Sequence, residues 1–133
     1  MNQIQEVYPY SMLYLSFEDM PVWQKGTELA ERVFILTETL PKKEDYGLTS
    51  QIRRSALSVP GNIAEGFGRR HTKDKLNFYY MSRGSLAETK SHLIYGFRVG
   101  YFQESELSGL LERIANIWEE LNKLINSFTR ELD

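Results

Sequence analysis

Apolar residues return every three or four positions along four stretches of this chain, and each stretch reads as one face of an amphipathic helix. In the first, Pro21 to Leu40, the stripe is Val22, Leu29, Val33, Leu36 and Leu40, with Trp23, Ala30 and Phe34 beside it. Asp19 is placed to cap this helix, and Pro21 suits a first turn because its missing N–H costs little there. Pro41 and the charged run Lys42–Asp45 end it. The second runs from Gly47 to Glu65, where Leu48, Ile52, Ala56, Val59 and Ile63 share a face. Pro60 removes one backbone hydrogen bond and crowds Ala56, which predicts a kink near Val59. Gly66 and Gly68 give the chain freedom to leave the helix.

The third helix spans Thr72 to Val99, with Leu76, Tyr79, Tyr80, Leu86, Ala87, Leu93, Ile94 and Phe97 in a broad stripe. The fourth spans Ser105 to Leu132 and carries Leu107, Leu111, Ile114, Trp118, Leu121, Ile125, Phe128 and Leu132, with Leu110, Ile117 and Leu124 adjoining. Short connections between long amphipathic helices predict an all-α, up-down-up-down four-helix bundle. It forms a single domain over residues 1–133, with residues 1–18 as an N-terminal extension. Tyr8, Tyr10, Leu13, Leu15 and Phe17 make that extension too apolar to float free, and predict an arm covering the bundle or a neighbouring subunit.

Composition narrows the class. The 41% hydrophobic and 26% charged fractions belong to a soluble globular chain, and no apolar run reaches the length of a membrane span. The absence of cysteine excludes thiolate nucleophiles and thiolate metal sites, and it suits a reducing cytoplasm. The net charge of −2 conceals a pattern. Residues 53–98 carry nine Lys+Arg against three Asp+Glu, a net of +6, and each flanking segment carries a net of −4. Either the central cations meet the flanking acids when the helices pack, or they form an anion-binding surface.

A di-iron bundle needs Glu-x-x-His pairs, but His92 follows Glu88 by four residues and His71 lies in or beside a loop. The expectation is therefore no metal, no cofactor and no enzyme. Arg54, Asn62, Glu65, Arg83 and Glu88 read as a structural polar network in which Glu65 takes a bond from Arg54, Arg69 or Arg83. Arg53, Arg69, Arg70, Lys73 and Lys75 read as a candidate nucleic-acid surface centred on the start of the third helix. Phe67, His71, Phe78 and Tyr79 are possible stacking groups beside it.

The run Gln51-Ile52-Arg53-Arg54, followed by Ser58-Val59-Pro60-Gly61-Asn62-Ile63-Ala64-Glu65-Gly66, resembles the signature of the four-helix-bundle proteins encoded in intervening sequences of bacterial 23S ribosomal RNA genes. The resemblance extends from Phe17 onwards and departs from the common pattern at Gly61 and at Lys90, where an acidic residue is usual. It implies a ring-like homo-oligomer, most simply a homopentamer, and carries no catalytic assignment. More distantly, the fold resembles the accessory variability-determinant proteins of diversity-generating retroelements, which bind a reverse transcriptase. The expected function is a non-catalytic oligomeric scaffold binding RNA or a nucleic-acid-processing protein. The alternative is a purely protein-binding assembly module.

Overall fold

A computed structural model of the chain describes residues 14–132. It contains α1 (Pro21–Thr37), α2 (Leu48–Gly68), α3 (Thr72–Arg98) and α4 (Glu104–Leu132), with 3-10 turns at Phe17–Asp19 and Lys42–Glu44. The four form an antiparallel bundle, in which α2 and α3 share the most extensive contact and α1 and α4 the slightest of the neighbouring helix pairs. Among the described residues no helix is long and apolar enough to cross a membrane. Of the expected N-terminal arm, residues 4–13 lie outside the described residues. Tyr14 and Phe17 pack against the core, and Leu15 is fully exposed.

The expected faces of α1 to α3 fill the core. Val22, Leu29, Val33 and Leu36 of α1, Leu48, Ile52, Ala56, Val59 and Ile63 of α2, and Leu76, Tyr79, Leu86 and Leu93 of α3 are buried. Phe34, Tyr80 and Phe97, expected in or beside these stripes, stay largely exposed. The fourth helix differs. Leu110, Ile114, Ile117, Leu121, Leu124, Ile125 and Phe128 are buried, so the adjoining positions of the expected stripe are its centre. Trp118 and Leu132 are turned to the edge. With this rotation Glu120 of α4 faces α1, where Lys25 donates to it at 2.5 Å.

Two local details also differ from expectation. Asp19 does not cap α1; it sits in the preceding 3-10 turn, whose cap is Ser16, and α1 begins at Pro21 without a side-chain cap. The second helix runs past Glu65 to Gly68, because Lys75 Nζ donates to the carbonyls of Gly66 (3.3 Å) and Phe67 (2.8 Å) and satisfies its last turn.

The α2–α3 seam is close because its contacting residues are small. Ser82 donates to the Val59 carbonyl at 2.8 Å, and Thr89 donates to Ser55 Oγ at 2.9 Å, all in the buried interior. A Cβ on Gly66 would stand 2.6 Å from Tyr79 Cε1 and 3.2 Å from the Lys75 carbonyl, so only glycine fits there. On the opposite side, α1 approaches the same stretch of α2 at Gly26, where a Cβ would meet Val59 at 3.3 Å.

At the far end of the bundle, the loop before α4 is tied to the loop before α2. Tyr101 donates to Glu44 at 2.8 Å, and the Leu48 N–H donates to the same carboxylate at 3.1 Å. The Tyr101 hydroxyl and then this N–H hold the Glu44 carboxyl below its ordinary value. The hydrogen bond to Glu44 holds the Tyr101 phenol above its own.

Gly66→Ala costs about 1–3 kcal/mol in chemical denaturation through overpacking against Tyr79. Gly61→Ala, where a Cβ meets nothing within 4 Å, stabilises by up to about 1 kcal/mol; equal losses in both variants contradict this seam. A depressed Glu44 pKa contributes stability that is complete above the ordinary carboxylate value and is lost as pH falls through the folded value. The melting temperature of Tyr101→Phe therefore falls less than that of the unmodified chain between about pH 6 and about pH 3; parallel acid limbs contradict the tie.

Candidate nucleic-acid interface

The end of α2 and the start of α3 bring basic residues together because three residues, Arg69 to His71, separate the two helices. Arg69, Arg70, His71 and Lys73 are exposed at this corner. Arg69 lies 4.7 Å over the ring of Phe78 and pairs with Glu65 at 3.2 Å. No carboxylate lies within ion-pair distance of Arg70 or Lys73 among the described residues. The His71 side chain makes no capping bond to the α3 N-terminus, and Asp74 is the acid of its first turn. The corner is rigid from behind: Lys75 locks the α2 terminus, Tyr79 packs on Phe128 at 5.6 Å, and Thr72 reaches Glu131 of α4 at 3.3 Å.

Not every expected member joins it. Lys75 turns inward, and burial pushes its ammonium below the ordinary lysine value, so it serves as a helix clamp. Arg53 lies sixteen residues before Arg69 on α2, about 24 Å along the helix. Its guanidinium bonds Thr37 Oγ1 at 2.7 Å and covers the Phe34 ring at 4.4 Å, which commits it to α1. Tyr79 is fully buried and offers no stacking surface, and Phe67 is partly buried under Lys75. Phe78 and His71 remain at the corner.

The five residues read as one polar network fall into separate groups. Arg54 donates to Glu88 across the α2–α3 seam, and Glu88 also contacts His92 at 3.1 Å. Asn62 donates to the Ser58 carbonyl within α2 at 2.9 Å. Of its three expected partners Glu65 meets Arg69, and it is half exposed. Arg83 faces the other seam and donates to Asn122 of α4 at 2.8 Å. Tyr80 and Trp118 flank that arginine, each ring centroid 5.4 Å from the guanidinium. Sequence reasoning missed this set because Trp118 and Tyr80 sit on apolar stripes. The available signal was Asn122, a polar residue one turn after Trp118. Among the described residues, no cluster of three His, Asp or Glu side chains could hold a metal ion.

The comparisons with known proteins agree with this architecture. No curated protein matches the chain. The structure of a protein of unknown function from the S23 ribosomal protein family of Bacteroides thetaiotaomicron matches with a TM-score of 0.73 at 24% identity, covering 78% of this chain and 97% of that one. At that identity the likeness is one of fold. The family described as 23S rRNA-intervening sequence protein matches residues 18–126. That span runs from the turn before α1 into the last turns of α4 and includes both seam helices and the basic corner. The chain therefore belongs to the 23S rRNA-intervening sequence protein family.

Proposed function

We propose that this chain is a non-catalytic scaffold that assembles into a homo-oligomer, a pentameric ring, and binds RNA through the corner at Arg69, Arg70 and Lys73. The observation that carries the reading is charge left uncompensated by folding. Of the nine central cations, Arg53, Arg54 and Arg69 have a carboxylate within 4 Å. The flanking acids do not neutralise the rest: Glu120 pairs with Lys25, and Glu28 pairs with Arg113 and Arg32. A rigid, exposed cationic corner beside an aromatic ring is suited to phosphate. The ribosomal RNA in the family's description supports RNA as the class of polyanion.

Assembly is supported by two separated apolar surfaces. Phe34, Ile35 and Leu57 are exposed beside a groove lined by Phe17, Trp23, Ala30 and Pro60 between α1 and α2. Met81 and Tyr95 on α3 and Val99 just after it are exposed. Two unlike faces suit the head-to-tail contacts that close a ring. The same surfaces support the alternative, a module that binds only protein.

RNA binding weakens with salt with a log–log slope of about −0.7 per phosphate contacted on a single strand. Light scattering gives a mass several times the 15.6 kDa of one chain. Arg69→Ala with Arg70→Ala lowers RNA affinity while that mass is kept. No RNA binding at low salt supports the protein-only module, and a mass of one chain contradicts the ring.

A further inference from the structure

We infer that Tyr80, Arg83, Trp118 and Asn122 form a seat for an unpaired nucleotide, so that the RNA held at the basic corner is single-stranded along α3. This inference rests on the RNA reading and extends it to a second site.

The four side chains form a square across the α3–α4 seam. Tyr80 and Arg83 are one turn apart on α3, and Trp118 and Asn122 are one turn apart on α4. Arg83 Nη1 donates to Asn122 Oδ1 at 2.8 Å, which fixes the guanidinium between the two rings. No carboxylate lies within ion-pair distance of it among the described residues, although α4 carries Glu119 and Glu120 next to Trp118. Glu120 is turned to Lys25 on the α1 side. Tyr80 is 45% exposed and Trp118 41% exposed, so aromatic surface remains after the bundle is complete.

A purely structural arginine at a helix seam would be expected to meet an acid, and a purely structural tryptophan to be buried. Here a fixed cation is left without an anion and two rings are left with open surface. A ligand that supplies both missing halves is planar and anionic. The guanidinium edge not bonded to Asn122 takes a phosphate oxygen, and a base stacks on the open ring surface. A duplex keeps its bases stacked inside and cannot use the rings. Lys73 and Tyr80 are seven residues apart, two turns of α3, and share a face about 10 Å along its axis. Phosphates at Arg70 and Lys73 therefore lead onto the seat without crossing an acidic side chain on that face.

Trp, Tyr and Arg are also common anchors of protein interfaces. The continuity with the cationic corner and the missing acid favour nucleic acid here.

The test uses the full chain with Trp23→Phe, which leaves Trp118 as the single tryptophan, beside the unmodified chain, whose total fluorescence must show the same quenching if Trp23→Phe alters the oligomer mass. Titration with a short oligouridylate quenches Trp118 fluorescence saturably, and a duplex of equal length does not. Trp118→Ala weakens oligouridylate binding by at least about five-fold, while Trp118→Phe retains most of it. If the chain binds no RNA at low salt, the RNA reading and this seat fall together. If RNA binds and responds to Arg69→Ala with Arg70→Ala, yet Trp118 is not quenched, the seat alone is overturned. If Trp118→Ala lowers the mass of the oligomer, the square is a subunit contact and the seat is overturned. The quenching titration needs no change at residue 118, so it decides the question even if Trp118→Ala does not fold.

Discussion

The close approach of α2 to α3 is the constraint on which the rest of this bundle depends. It requires glycine at Gly66, where Tyr79 occupies the space of a side chain, and hydroxyl residues at Ser55, Ser82 and Thr89, which are fully buried. Each buried hydroxyl finds a partner across the seam or within its own helix. Such bonds contribute only about 1 kcal/mol each on balance, but leaving them unmade costs more, so they act as registration marks. A slip of one residue would set Ser82 and Thr89 against apolar neighbours. The signature Ser58–Gly66 is thus largely a helix-packing code. Ser58 and Asn62 bond within α2, Val59 and Ile63 fill the core, and Gly66 admits Tyr79.

The seam also explains where the charge lies. The three-residue turn between α2 and α3 carries Arg69, Arg70 and His71, and among the described residues its only carboxylate partner is Glu65 of α2. Its cations stay at the surface. Lys75 is the exception, since the carbonyls of Gly66 and Phe67 draw it inward as a clamp. Arg54 and Glu88 close the seam at mid-height, where both can reach each other from facing turns. The result is an exposed cationic end and, opposite it, an end tied by Tyr101 and Glu44.

Much of the fold was legible because amphipathic periodicity depends only on spacing. The four helices, their order and three of the four core faces follow from apolar positions such as Leu29, Val33, Ile52 and Leu86. The rotation of α4 was not legible. Its stripe is nearly half the helix wide, and which half turns inward is set by packing against α1 and α3, which local spacing does not record. The site was legible as a composition but not as a geometry. The chain order places Arg53 with Arg54, yet one turns to α1 and the other to α3. Spacing left Arg54, Arg69 and Arg83 open as partners of Glu65, and helix phase puts it on the open side next to Arg69. The square at Arg83 depends on α4 meeting α3 at Trp118, a tertiary fact that no local pattern records.

Native-state hydrogen exchange tests the primacy of the seam most directly. Amides of α2 from Ile52 to Ile63 and of α3 from Tyr79 to Leu93 should exchange only through global unfolding, with the highest protection in the chain. Those of α1 and α4 should open at lower free energy. If α2 and α3 exchange through a partial opening that leaves α1 and α4 protected, the bundle does not depend on this seam.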